Sequence, residues 1–472
     1  MMGQQTAAQN ELFYEFNLEQ HIPGNHLLRQ IDKFLDFDQI RQHLHSFYSH
    51  TGRPSVDPEL MIRMLVVGYC YGIRSERRLC EEINFNLAYR WFCQLGLEDE
   101  IPDHSTFSKN RHGRYRESDI FRFVFDAVVQ RCMDEGLVKG EGFAIDASLV
   151  KADVCRQRAM RGTEVIDWGP TEKQSRPVRE YLDALDEDLT KSKPKSISLT
   201  DPMARWTAAK GPAIFAYSTN IMIDVENAII MDVEATPGFR SDEVESTKTL
   251  LERIETKHRI KPKRLMGDTA YGSADMLGYL VNEKGIEPHV PIWDKSKRDD
   301  GTYSIGDFVW NEEDDHYRCP VGNLLQRSQR NFKIPRSGIT KANTILYRSK
   351  KQECDICEEK LRCCPNTPHR KIARSIYEAA RDVAREINQS DVYIYQTFHE
   401  RKKVEMQFAH MKRHLRFDRL RLRGIKGVSD EFLLVATAQN LRKMVKLCGR
   451  APPERKTDPP DTSIWQSNHR NN

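Results

Sequence analysis

The apolar positions of this chain change their period part-way along, and the change divides it into two kinds of structure. Over roughly the first 130 residues they recur at the spacing of helices. Asp57 and Pro58 set a capping oxygen and a first-turn proline ahead of LMIRMLVVGYCYGI. Ser75 is placed to cap ERRLCEEINFNLAYRWF, and Pro102-Asp103-His104-Ser105 breaks the pattern before another helix from Thr106. Beyond these, residues 141–150, 213–224 and 228–235 are apolar or β-branched runs of strand length. Residues 241–257 predict a helix, 264–266 a short strand ending at Gly267-Asp268, and 287–291 a fifth strand. Strands in hairpin order, then alternating with helices, predict a mixed sheet covered by helices.

Two segments interrupt that pattern. Residues 156–202 are polar, with one possible helix near 181–189, and residues 295–369 hold most of the clustered cysteines. Helices are predicted to resume at 372–388 and again from about Asp391. The Pro-rich tail predicts disorder. The expected organisation is a helical domain over 1–135, an α/β domain over 136–450 with insertions at 156–202 and 295–369, and a tail over 451–472. The helical domain reads equally as a DNA-contact unit or as a scaffold for dimerisation.

Composition narrows the class. Hydrophobic residues make up 39% and charged residues 30%, as in globular proteins with a charged surface. No apolar run reaches the roughly 18 residues a membrane helix needs, since residues 60–73 are short and broken by Arg63. The first residues show neither a basic start nor a continuous apolar segment, so a cytoplasmic setting is expected. Net charge is only +4, yet residues 401–426 carry ten Lys or Arg against Glu405 and Asp418. A basic strip of this density suits phosphate binding, and Arg401, Lys412, Arg413 and Arg416 are its candidate DNA contacts.

Three acids stand where an acid is costly or conspicuous. Asp146 interrupts the apolar strand FAIDASL, where a carboxylate calls for a partner or a metal. Its neighbour Asp153 lies in more polar surroundings. Asp268 follows the strand RLMG, at a carboxyl end of the kind where α/β sheets gather their chemistry, although it also suits a turn cap. Glu405 shares a helix face of about 60° with Phe398, Arg401 and Lys412, beside the apolar stripe Val404, Phe408, Met411 and Leu415. An ordinary i,i+4 pair between Arg401 and Glu405 fits the same spacing. Hard carboxylate oxygens from two strands and a helix suit Mg²⁺.

At these residues the sequence resembles the bacterial insertion-sequence DDE transposases. Their third-acid motif spaces Tyr, Arg, Glu and Lys as Phe398, Arg401, Glu405 and Lys412 are spaced here, with phenylalanine in place of tyrosine. Asp146 and the GDTAYGS turn with Asp268 match the first two acids, and GRPSVDPELMIRMLVVGYCYGIRSERRLCEEI with PDHSTFSKNR looks like the helical domain common in the group. The resemblance implies a ribonuclease H-like five-stranded mixed sheet flanked by helices, preceded by an all-α domain and interrupted by the Cys-bearing insertion. It implies metal-dependent cleavage and strand transfer at the terminal inverted repeats of a mobile element. Asp146, Asp268 and Glu405 would hold Mg²⁺ (or Mn²⁺ in its place), with double-stranded repeat and target DNA as partners. It also implies at least a dimer on DNA, in association with the nucleoid. A transposase-derived regulator without catalysis and a ribonuclease H-like nuclease are the alternatives. All three acids are present, against the first, and the basic strip favours a large DNA substrate.

The cysteines admit two readings. Cys319, the Cys354-x-x-Cys357 pair and Cys363 can form a tetrahedral structural Zn²⁺ site, and cysteine-bearing insertions recur in the group the chain resembles. Alternatively they are free thiols of the insertion.

Overall fold

In a computed structural model, the structure describes residues 16–49, 51–52, 55–186, 194–208, 211–292, 298–327 and 337–449. The expected tail over 451–472 lies outside them. The chain divides into two compact units, Met1–Leu137 with Leu434–Asn472, and Val138–Leu433. The first boundary falls two residues beyond the expected 135. The second departs from expectation, because residues from Leu434 onward cluster with the N-terminal unit and not with the α/β unit. Secondary structure among the described residues is mixed α/β with three separate sheets.

Before the first strand the described residues form only helices and one 3-10 turn. Helix α1 (Pro58–Cys70) starts as its sequence dictates: Asp57 accepts from the Glu59 amide, and Pro58 occupies the first turn. Its apolar residues run all the way round, and every residue from Met61 to Cys70 is buried. The one charge among them, Arg63, ion-pairs with Asp32 at 2.6 Å and Glu59 at 2.8 Å and lies over the Phe37 ring. The predicted continuous helix after Ser75 is interrupted at Asn86, which ends Glu76–Phe85 and caps Leu87–Phe92 through its side-chain oxygen. Helix α2 (Ile120–Asp134) presents Phe121 and Val124 to Ile62, Leu65 and Val66 of α1 around a void of about 10 Å³. Leu434, Ala438 and Leu441 line the same void, which is why this stretch belongs with the N-terminal unit.

The α/β unit is built on β1 (Gly142–Lys151), β2 (Ile214–Asp224), β3 (Ile229–Pro237), β4 (Arg264–Met266) and β5 (Glu287–His289). Their order across the sheet is β3-β2-β1-β4-β5, and Arg205–Thr207 adds a short edge strand beside β2. The β3-β2-β1 pairs are antiparallel, whereas β1-β4 and β4-β5 are parallel. A tight turn joins β2 to β3, and helix α3 (Arg240–His258) crosses from β3 to β4, as the pattern of runs predicts. Arg253 of α3 pairs with Asp232 and Glu234 of β3, fixing the helix on the sheet. On the other elements, helix α4 (Glu378–Gln389) leads through a π-helical segment, Val392–Thr397, into α5 (Phe398–His414), and α6 (Gly424–Cys448) follows.

Two stretches depart from their predicted form. Residues 372–375 are strand and not helix, because Lys371–Ser375 pairs with Thr344–Arg348 and only Glu378 begins the helix. A tertiary partner overrides local preference there. In the second insertion, where the sequence pattern predicts no elements, Val309–Asn311 (β6), His316–Arg318 (β7), Leu324–Arg327 (β8), Thr344–Arg348 (β9) and Lys371–Ser375 (β10) form an antiparallel meander. The first insertion holds a helix at Arg176–Asp186 and a two-stranded pair, Ala159–Arg161 with Ser196–Ser198. No helix among the described residues is long and apolar enough to cross a membrane.

One buried acid ties the irregular region to the sheet. Asp201, wholly enclosed, accepts from the Tyr217 hydroxyl at 2.6 Å and from the Gly424 amide at 3.2 Å. Burial pushes its carboxyl up from 3.8 to about 6. Because the folded protein then holds this proton more tightly than the unfolded chain, the stability it contributes is complete below about pH 4 and falls as pH rises through 6. The margin by which wild type exceeds Asp201→Asn in urea unfolding is therefore largest at or below pH ~4 and shrinks by pH ~7, by roughly 3 kcal/mol at most. A margin that grows with pH contradicts this.

Candidate active site

Strand register decides where the first two acids lie. In the parallel pair of β1 and β4, Ala144 stands opposite Met266. Asp146 and Asp268 each follow two residues later, and Asp268 keeps an extended backbone at φ −82 and ψ 179. Side chains two residues apart in a strand share a face, and adjacent strands lie about 5 Å apart. Both carboxylates therefore leave the sheet on one face, side by side, at the carboxyl end of β4. Phe143, Ala144 and Ile145 before Asp146 are completely buried, so this edge rests on a rigid core.

Helix α5 is held along β1 at several points. Near its start, Glu400 receives Arg264 of β4 at 2.8 Å, and Lys403 donates to the Val225 carbonyl at 2.6 Å. Near its end, the Lys412 ammonium donates to Ser148 Oγ at 2.7 Å and to the Leu149 carbonyl at 3.1 Å. Val404, Phe408 and Met411 are buried, as their predicted stripe requires. Between the ties, Glu405 falls alongside the stretch of β1 that carries Asp146, with its own side chain exposed.

The electrostatics of Asp146 report the same convergence. Its carboxyl is pushed up to about 6, first by burial and then by the charges of Asp268 and Glu405, against the Ala147 amide and Arg401, which favour its ionised form. Asp268 accepts from the Ala270 amide at 2.8 Å, so it also caps the turn Thr269–Tyr271, and it meets Arg240 at 3.3 Å. Among the described residues, no three His, Cys, Asp or Glu side chains are closed into a group that could hold a metal ion. The acids influence one another without forming a finished ligand set.

The basic candidates separate by environment. Arg401 is half-buried near Asp146, whereas Arg413 and Arg416 are exposed. Lys412 is engaged by β1, and burial lowers its ammonium from the usual lysine range. Asp153, the neighbouring acid, is taken up by Arg419 and Arg423, each at 2.9 Å. Sequence reasoning missed Arg240 and Ser241. With Val244, Thr269, Ala270 and Ser273 they line an open cavity of about 570 Å³ beside Asp268. Their only signal is position, at the start of the helix that follows β3.

Residues 16–113 match the family model "Transposase domain (DUF772)", and residues 318–445 match "Transposase DDE domain". The chain is a DDE transposase. The second match contains Arg401, Glu405 and Lys412, whereas Asp146 and Asp268 lie between the two matched spans. No curated protein matches the transposase. Among solved structures it aligns with "Cryo-EM structure of piggyBac transposase synaptic complex with hairpin DNA (SNHP)", at 10% identity and a TM-score of 0.33, covering 90% of this chain and 74% of that one. A likeness that weak bears on neither fold nor function.

Two expectations follow from the packing. A Cβ on Gly267 would lie 2.9 Å from the ring of Tyr271, which is buried and cannot retreat. Gly267→Ala in the transposase should therefore cost about 1–3 kcal/mol in denaturant unfolding, and an unchanged midpoint contradicts the packing. Lys412→Met, which keeps the stem and removes the ammonium, should cost about 1 kcal/mol while leaving the salt dependence of DNA binding unchanged. A shallower salt slope would return Lys412 to the phosphate contacts.

Proposed function

We propose that the transposase cleaves and joins DNA at the terminal inverted repeats of its own mobile element, with divalent metal held by Asp146, Asp268 and Glu405. The observation that carries this reading is the shared register of β1 and β4, which aligns Asp146 with Asp268 beside the helix bearing Glu405. The strand order β3-β2-β1-β4-β5, antiparallel on one side of β1 and parallel on the other, supports a ribonuclease H-like assignment for the sheet.

The donor set fits Mg²⁺, with Mn²⁺ able to replace it, because all three side chains offer hard oxygens. The half-buried Asp146 faces two further acids, and a cation relieves that repulsion. When bound, Mg²⁺ activates the attacking oxygen and stabilises the charge on the leaving one. The protein supplies the rest. Arg240 orients Asp268, and with the hydroxyls of Ser241, Thr269 and Ser273 it offers donors to a phosphate in the adjoining cavity. Arg401, Arg413 and Arg416 contact the backbone of the same DNA, which positions it without reading its sequence. Water serves as the first nucleophile and the freed 3′-OH as the second, so no side chain forms a covalent bond to DNA. The N-terminal unit serves as the contact for repeat DNA or as the dimerisation unit, and the enzyme acts on paired ends as at least a dimer.

Labelled terminal-repeat DNA incubated with the transposase and Mg²⁺ should yield cleaved ends and joined products. Glu405→Gln and Asp146→Asn should each lower both by at least about a hundredfold, the loss of several kcal/mol of charge stabilisation. DNA binding should hold within about threefold, because phosphate contacts dominate affinity. Either variant cutting at the wild-type rate removes that acid from the site, and nicks without joined products favour a simple nuclease.

A further inference from the structure

The meander β6–β10 gathers the densest set of nucleophilic side chains outside the candidate active site. Its core consists of Phe308, Tyr317, Leu325, Tyr347 and Ile372 together with Cys354, Cys363 and Cys364. Three of these eight buried positions are thiols, which contribute little apolar area for a sheet this small. Small folds with so thin a core are commonly stapled by disulfides or metal, and every cysteine of this chain is free.

Five thiols, those of Cys319, Cys354, Cys357, Cys363 and Cys364, line one cavity of about 20 Å³, room for a single small occupant. The backbone prepares them. Gly322, at φ +97, closes a tight turn onto the Cys319 carbonyl at 2.8 Å, and the Asn323 amide donates to Cys319 Sγ at 3.2 Å. A backbone N–H aimed at sulfur is the kind of outer contact that orients a metal-bound side chain. Cys354 and Cys357 bracket the end of the helix Lys351–Asp355, with the Cys357 amide on the Cys354 carbonyl. The Cys364 side chain interacts electrostatically with those of both Cys354 and Cys363.

Charge points the same way. Arg370 lines this cavity at 4% exposure, and its guanidinium donates to the carbonyls of Cys363 and Tyr303. Among the described residues it makes no ion pair with a carboxylate. A buried cation without an acid calls for another negative group. Four thiolates around a divalent ion would carry two net negative charges, which the Arg370 guanidinium on the cavity wall would offset in part.

We propose that this cavity is a structural zinc site, with Zn²⁺ bound by the sulfurs of Cys319, Cys354 and Cys357 and by one of the adjacent pair Cys363 and Cys364. Each ligating S–H releases its proton to solvent as a Zn–S bond forms, and no electron changes hands. Among the described residues no three cysteine side chains already form a closed ligand group, so side-chain rotation into the cavity closes the set around the ion. The ion staples the meander and takes no part in strand transfer, so this site stands or falls separately from the three acids.

The full chain, purified without chelator and under reducing conditions, should carry about one zinc per chain by elemental mass spectrometry. Replacing the zinc with Co²⁺ should produce the intense thiolate charge-transfer band and the visible bands of a tetrahedral site. Cys319→Ser, Cys357→Ser and the double change Cys363→Ser/Cys364→Ser should each lose the metal, whereas the exposed Cys155→Ser keeps it. Should these variants fold poorly, counting reactive thiols in the wild-type chain gives a second measure, with about four more becoming reactive after chelation. Absent or substoichiometric zinc, iron in its place, no cobalt thiolate band, or variants that retain full zinc would each overturn the proposal.

Discussion

The arrangement of this molecule turns on a repulsion. Two parallel strands in fixed register bring the carboxylates of Asp146 and Asp268 out on one face, about one strand spacing apart. A helix strapped to the same strand adds a third acid, Glu405. Burial and those neighbours hold the Asp146 carboxyl high, so the protein spends folding energy to keep acids together. Such a cluster is tolerable when a cation offsets it, and the surrounding structure is built to prevent the acids from drifting apart. The completely buried Phe143, Ala144 and Ile145 fix β1, and Arg264–Glu400 and Lys412–Ser148 fix the helix at either end.

Much of this frame could be read from the residues. Runs of strand length located five of the six strands of the main sheet, and the short edge strand Arg205–Thr207 was missed because three residues are too few to show a pattern. Asp146 was conspicuous because an acid inside FAIDASL is costly, and the spacing of Phe398, Arg401, Glu405 and Lys412 singled out the helix. Other parts were hidden for identifiable reasons. Residues 371–375 carry no strand signal of their own and become a strand only through pairing with residues 344–348. Asn86 ends one helix and caps the next, which periodicity alone cannot reveal. Arg240 gains its role from the crossover that returns the chain to β4, a long-range fact with no local mark. Lys412 shows the converse: its place in the motif suggested phosphate, whereas its ammonium binds β1.

The second insertion and the N-terminal unit each have a core of their own. The cysteine-lined meander has its own small core, separate from the main sheet. The N-terminal unit is organised around the all-round apolar helix α1, and the C-terminal residues from Leu434 complete its core. The acids themselves need a rigid edge of sheet and a strapped helix to meet.

The most direct test is anomalous diffraction from crystals of the full chain soaked with Mn²⁺, which locates the ion without reference to activity. The account predicts manganese density within about 2.2 Å of carboxylate oxygens from both Asp146 and Asp268, with Glu405 turned toward the same site. Manganese bound elsewhere, or held by one of these acids while another points away, would contradict it.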